Sequence, residues 1–314
     1  MTHTNESPGF PGRFTPSEGD RVVDRRPVVS VIVPVYNDLT GVLRCLEGLS
    51  GQTYPASHVH VMLVDNGSTP ALRVEGAYPF EFDVLRCETP GSYAARNAGA
   101  KVARGAILAF IDADCVPEPD WLAAGVAALE RGEDHYVGGE VQVLPPEPRT
   151  GVGLYQYLAG FQQEENIRRK HFTVTANLFC YAEQFERIGP FTESLMSAGD
   201  LEWGQRARDA SVAVMYASSA IVFTRPRTSI SAAIRQARRV AGGRKQLRDR
   251  NWHPAAPELL KPHRSPLTAL HWIVDRTELN RWERCKVLWA ALIIRLAAAM
   301  EYWRLSLGAR PERQ

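Results

Sequence analysis

Ala109-Phe110-Ile111-Asp112-Ala113-Asp114-Cys115-Val116-Pro117 is an apolar run that ends on two carboxylates separated by one residue. In extended backbone alternate side chains share a face, so Asp112 and Asp114 can point the same way at the end of a strand. Two carboxylates held that close repel unless a cation sits between them, and a hard divalent ion with oxygen ligands answers the need. An ordinary turn gives the same pattern, because Asp is also a common turn residue. The surrounding chain has to decide between the two.

Upstream, Val28 to Pro34 is a β-branched run closed by proline, as a buried parallel strand would be. Leu39, Val42, Leu43, Leu46 and Leu49 recur at helical spacing. Val59 to Val64 predicts a second strand that also ends on an acid, Asp65, and Phe82 to Arg86 a third. Ser92 to Arg104 reads as a helix with Ser92 as N-cap and Gly105 past its end, before the fourth strand, Ala106 to Ile111. Strand and helix alternate with short links, the pattern of a parallel sheet covered on both faces. Ligands of such sheets sit beyond the carboxyl ends of the strands, where Asp65 and Asp112 both lie.

Downstream the alternation weakens. Helices are expected over Asp120 to Glu130, Gly153 to Lys170, Glu183 to Ile188, Asp200 to Asp209 and Ile230 to Leu247. Strands are expected over His135 to Val143, Phe172 to Leu178, Val212 to Tyr216 and Ile221 to Phe223. Glu283 to Leu307 predicts an apolar helix on which Arg281, Arg284 and Arg295 fall within about 60° of one another. Such a helix either packs on the domain or an oligomer interface, or lies at a membrane surface.

The totals bound the class. A chain of 314 residues, 45% hydrophobic and 23% charged, is of ordinary globular composition and can bury a full core. From Thr224 onward 16 Arg and 3 Lys face 7 acids, so a basic end follows an acidic body and suits anionic partners such as phosphates or lipid headgroups. Five scattered cysteines without a CxxC pair argue for a reducing compartment and against a zinc site. Residues 1–27 have no apolar core for a signal peptide and read as a disordered lead-in. Val287 to Met300, interrupted by Arg295, falls short of the roughly 20 apolar residues that span a bilayer.

Several segments in this order resemble the family-two glycosyltransferases, which have the GT-A fold: Val31-Ile32-Val33-Pro34-Val35-Tyr36-Asn37, the LSGQTYP run from Leu49, Val64-Asp65-Asn66-Gly67-Ser68-Thr69, Ala95-Arg96-Asn97-Ala98-Gly99, the Asp112–Asp114 pair and Ser197-Ala198-Gly199-Asp200-Leu201-Glu202-Trp203. The resemblance implies an α/β GT-A domain with a Rossmann-like nucleotide-binding sheet flanked by helices over residues 28–245. It would hold a nucleotide-sugar half (28–118) and an acceptor half (119–224), with 246–314 as a basic helical C-terminal extension. It implies that Pro34, Tyr36, Asp65 and Asn66 hold the base and ribose, with Arg96 beside the nucleotide and Asp112 on the ribose. Asp114 would hold a divalent cation, Mg²⁺ or Mn²⁺, on the diphosphate, and Asp200 would be the catalytic base. Asn177, Glu202 and Trp203 are candidates for the acceptor side, although an ion pair to Arg206 and a core position explain Glu202 and Trp203 equally well.

Two departures stand out. Asn66 replaces a frequent second Asp, and Thr224 stands where many members carry a metal-ligating His, leaving His253, His263 and His271 well downstream. Arg225 and Arg227 are candidate diphosphate contacts in that His's place. Gln236-Ala237-Arg238-Arg239-Val240 matches the QxxRW motif of processive synthases only loosely, so one sugar per encounter is expected. The expected function is inverting, metal-assisted transfer of one sugar from a nucleotide-diphosphate sugar to a glycan or lipid-linked hydroxyl acceptor, in polysaccharide or glycolipid synthesis. The expected place is the cytoplasm, at the inner face of the plasma membrane if the C-terminal helix lies on lipid. Nucleic acid is not expected as a partner. A non-catalytic nucleotide-sugar-binding protein is the alternative, and a nucleotidyltransferase is disfavoured because Val35-Tyr36-Asn37-Asp38 is no Gly-rich phosphate loop.

Overall fold

A computed structural model describes residues 26–250 and 271–309. The lead-in up to residue 25, His253 and His263 lie outside the described residues. The elements that position the site begin with β1 (Val29–Val35), α1 (Leu39–Ser50), β2 (Val59–Asp65), β3 (Glu81–Arg86), α2 (Ser92–Val102) and β4 (Ile107–Ile111). They continue with β5 (Cys115–Pro117), α3 (Trp121–Leu129), β6 (His135–Val143), α4 (Gly151–Ala159), α5 (Gln163–Lys170), β7 (Asn177–Tyr181) and α6 (Ala182–Ile188). Last come α7 (Gly199–Asp209), β8 (Ala213–Thr224), α8 (Ile230–Asp249) and α9 (Arg281–Ser306).

The eight strands run in the order β3-β2-β1-β4-β7-β6-β8-β5. β3, β2, β1 and β4 are mutually parallel, as the βα alternation predicts, but β7 then runs antiparallel to β4, so the sheet is mixed. Along β1 and β4 successive residues face opposite layers. Val31, Val33, Ala109 and Ile111 meet α1 and α3 through Val42, Leu46, Trp121 and Leu122. Ile32, Leu108 and Phe110 meet Ala95, Phe185, Phe191 and Trp203 on the other side. Burial on both faces is why these strands read as continuous apolar runs instead of alternating ones.

β4 and β5 are joined by only three residues, Asp112 to Asp114, yet β7, β6 and β8 separate them in the sheet. In a flat sheet four strand steps of ~4.8 Å would put them about 19 Å apart. The link is a tight turn, with Cys115 N–H bonded to Asp112 O at 3.0 Å. The sheet must therefore curl until its far edge returns to β4, and the carboxylate pair sits where it closes.

Several expected boundaries shift. The 153–170 helix is two helices, because Gly160 and Gln162 take positive φ values of 56° and 53° and break it. The expected strand 172–178 lies later, at β7, and the two last strands are one strand whose pairing with β6 slips at Gly139/Glu140. Gly91, with φ 123°, caps α2 in place of Ser92.

Asn177, expected on the acceptor side, is fully buried where β7 starts beside Ile111. Its Oδ1 accepts from the Trp121 indole at 2.8 Å and its Nδ2 donates to Glu140 O and Ala220 O, both at 2.8 Å. It stitches β7 to α3, β6 and β8, and its amide is used in these internal bonds. Asn177→Ala strands three buried polar groups and should cost about 3 kcal/mol in urea unfolding, and a loss below about 1 kcal/mol would contradict this role.

Candidate active site

The carboxyl ends of β2, β1 and β4 lie side by side and carry Asp65, Tyr36 and Asp112. The loops after β1 and β2 are tied together: Asn37 N–H donates to Ser68 Oγ at 2.9 Å and Thr69 N–H to Asn37 Oδ1 at 2.8 Å. Asp65, with a side chain 2% exposed, accepts from Ser68 N–H, Leu72 N–H and the Arg86 guanidinium. Burial raises its carboxyl, but these hydrogen bonds outweigh burial and hold it at about 2. The charge therefore shapes the 65–72 loop from within. Asn66 is also used internally: its amide donates to Thr89 O at 2.7 Å and accepts from Gly91 N–H at 2.8 Å. The amide expected to meet a base edge fastens the loop to the start of α2 in this structure. Pro34 lies in β1 opposite Val64, and Tyr36 is half exposed on the rim.

Beyond β4, the charges of Asp112 and Asp38 both act on Asp114. Asp38 caps α1 by accepting Gly41 N–H at 2.8 Å, and a Cβ at Gly41 would meet Ala113 O at 2.8 Å, so only glycine lets α1 approach the turn this closely. Burial first, then the charges of Asp112 and Asp38, push the Asp114 carboxyl up to about 6, while Arg227 pulls the other way. Half-buried, hard-oxygen donors whose charges push one another's protonation up fit a divalent cation such as Mg²⁺ or Mn²⁺. Among the described residues no cluster of three or more His, Cys, Asp or Glu forms a cage, so such an ion would depend on substrate oxygens and water as well. Thr224 is buried beside Cys115 in the β5–β8 pairing, and His271 is exposed.

Arg96, 3% exposed, donates through Nη2 to Asp112, while its Nε and Nη1 are buried without a hydrogen-bond partner in the structure. The positive charge of Arg96 also reaches Asp200. Burial raises the Asp200 carboxyl, opposed by the Leu201 N–H, Arg96 and Arg239. Tyr93, which the sequence did not single out, holds this acid in place. Its hydroxyl accepts from Gly199 N–H at 2.9 Å and Asp200 N–H at 3.3 Å and donates to Asp200 Oδ1 at 3.4 Å. Gly199 is small for this reason, since a Cβ there would stand 2.7 Å from the Tyr93 ring. Burial raises the Tyr93 hydroxyl, which keeps its proton for donation.

The cationic side comes from α8. A cleft of about 340 Å³ is lined by Tyr36, Arg227, Ala232, Arg235, Gln236 and Arg239. Gln236 and Arg239 are the Gln and Arg of the loose QxxRW match, whereas Arg235 was not singled out, because a basic helix gives no sign of which of its arginines face a ligand. Arg227 lines this cleft, whereas Arg225 is exposed and does not. α8 lies directly on the loop before Asp200: a Cβ at Gly243 would stand 2.3 Å from Ser197 O, and Gln246 bonds Met196 N–H at 3.0 Å.

Trp203 and Glu202, expected on the acceptor side, make framework contacts in this structure. Trp203 is fully buried against Tyr136, Phe185 and Phe191, with its indole donating to Gly189 O at 2.9 Å. Glu202 is paired with Arg206 at 2.7 Å, and Arg206 also holds Ile188 O and Pro190 O.

Known proteins are similar to this chain. Glycosyltransferase AglE of Haloferax volcanii is 38% identical over 200 residues, covering 62% of this chain and 66% of that protein. Glycosyltransferase GlyG of Streptococcus pneumoniae is 34% identical over 161 residues, covering 50% and 46%. The chain thus spans less than two thirds of the length of these relatives. Among solved structures, the mannosyltransferase PcManGT from Pyrobaculum calidifontis, solved with GDP-Man and Mn²⁺, is 18% identical, covers 89% of this chain and 88% of its own, and superposes with a TM-score of 0.58, which shows a shared GT-A fold. The glycosyl transferase family 2 model matches residues 30–186, from β1 into α6 and including Asp65, Arg96, Asp112 and Asp114, so the chain belongs to glycosyl transferase family 2.

Proposed function

We propose that the protein is an inverting glycosyltransferase that moves one sugar from a nucleotide-diphosphate sugar to a hydroxyl of a glycan or lipid-linked acceptor. The observation that carries this reading is a cationic cleft next to a carboxylate pair. Arg227, which lines the cleft with Arg235 and Arg239 of α8, acts on Asp114, while a separate half-buried carboxylate, Asp200, is held by Tyr93 at the head of α7 and feels Arg239. PcManGT was solved with a nucleotide sugar and a divalent metal, which supports the same ligand class here.

The base would lie against the tied loops 36–37 and 65–72, with Tyr36 at its edge and Asp112 toward the ribose. Asp65 and Asn66 act on the nucleotide by fixing the shape of that loop. Arg227, Arg235 and Arg239 offer guanidinium donors to the diphosphate, and the free N–H groups of Arg96 point to an anionic or hydroxyl-rich ligand. A Mg²⁺ or Mn²⁺ ion held by Asp114 together with diphosphate and water would supply Lewis-acid stabilisation of the leaving group. The acceptor oxygen attacks the anomeric carbon as its proton passes to Asp200. The bond from that carbon to the phosphate oxygen breaks, and its electron pair leaves with the nucleoside diphosphate, to which the cleft arginines are complementary. One base opposite the leaving group gives direct displacement and inversion.

Asp200→Asn should retain donor binding in calorimetry while lowering turnover about 10³-fold, and an active variant would remove Asp200 from the base role. The base works ionised and burial raises its pKa, so kcat should climb with pH along a limb above the ordinary carboxylate value of about 4. Because Arg239 lowers that pKa, Arg239→Gln should move the limb further up. A limb at or below pH 4 would contradict the assignment. Arg235→Ala should raise the donor KM about tenfold with little change in kcat. Tyr93→Phe should show the opposite split, with kcat about tenfold lower at unchanged donor KM, because its hydroxyl orients the base and does not touch the donor.

A further inference from the structure

α9 is apolar on two sides. Val287, Ala290, Ala291, Ala297 and Leu305 are buried, in packing against α8 and α4. At 100° per residue these positions centre on one side of the helix, and the opposite side carries a second apolar band. Trp282, Trp289, Leu292, Leu296, Met300 and Trp303 fall within about 80° of arc there, and the three tryptophans are 80%, 66% and 70% exposed. The helix has 26 residues and so is about 39 Å long. A continuous exposed band of this kind marks an interaction surface.

Charge selects the occupant. Both acids of α9 lie on its inner side: Glu283 is paired with Arg149 at 2.7 Å, and Glu301, 6% exposed, with Arg304. The borders of the outer band carry cations, exposed Arg281 on one side and exposed Lys286 on the other. A second copy of the same helix would set cation against cation along the seam, whereas an anionic surface complements both borders. Tryptophan rings flanked by cations suit the boundary between headgroups and acyl chains, and no described helix is long and apolar enough to cross a membrane.

We propose that the outer face of α9 docks the protein on an anionic lipid surface, with Trp282, Trp289 and Trp303 in the interface and Arg281 and Lys286 on the headgroups. The cationic face differs from the stripe expected from sequence, because Arg284 is turned inward, donating to Arg276 O at 2.9 Å with a buried Nε. The inference stands apart from the glycosyl transfer reading, since it uses no residue of the cleft.

The full chain should float with vesicles of phosphatidylglycerol and phosphatidylcholine at ~0.1 M salt and not with phosphatidylcholine alone. Brominated lipids should quench its tryptophan fluorescence. Trp282→Ser/Trp289→Ser/Trp303→Ser should lower vesicle partitioning at least about tenfold and Arg281→Glu/Lys286→Glu about fivefold, with the melting temperature and donor affinity of both variants unchanged. Failure of the parent chain to float, or flotation of the tryptophan variant equal to the parent, would overturn the proposal. A dimer that the tryptophan variant dissolves, in a protein that does not float, would assign the face to a second copy.

Discussion

The constraint on which the structure turns is a link of three residues between strands that the sheet places four steps apart. Asp112-Ala113-Asp114 can join β4 to β5 only if β7, β6 and β8 curl round to meet it. The carboxylates therefore do not decorate a loop. They sit at the closure of the sheet, clamped by β1 on one side and by the β5–β8 pairing on the other. Gly41 lets α1 press against the same turn from below.

Putting several carboxylates in one place requires positive charge nearby, because buried like charges otherwise neutralise by taking up protons. The chain supplies this charge from three directions. Arg96 comes from α2 and lies between Asp112 and the field of Asp200. Arg227 acts on Asp114 from the segment after β8, and Arg239 acts on Asp200 from α8. Asp112 and Asp200 are therefore linked electrostatically through Arg96. The two N–H-bearing nitrogens that Arg96 leaves unused keep it available to a third anionic group.

The parallel strands were legible in the sequence because their signals are local. β1, β2 and β4 are runs buried on both faces, and Asp65 and Asp112 follow directly at their ends. What the sequence hid depends on contacts between distant segments. Asn177, Trp203 and Glu202 have the residue types of an acceptor site, but their partners, Ala220, Phe185 and Thr192, are set by packing that no spacing rule encodes. Tyr93 looked like any aromatic residue on a helix until α7 was brought to it. Gly160 could have signalled the break between α4 and α5, yet the apolar period carries on across it and masks the turn.

The pairing of β5 with β8 has a consequence for the order in which the protein is built. Cys115 is hydrogen-bonded in register with Thr224, and β7 must fit between β4 and β6 before that edge can close. On the ribosome the parallel strands β1 to β4 can assemble from neighbouring βα units, whose contacts are short-range. The Asp112–Asp114 turn cannot be clamped until residue 224 has emerged. The end of β4 thus belongs to the part of the sheet that can form earliest, yet its turn is among the last features to be fixed.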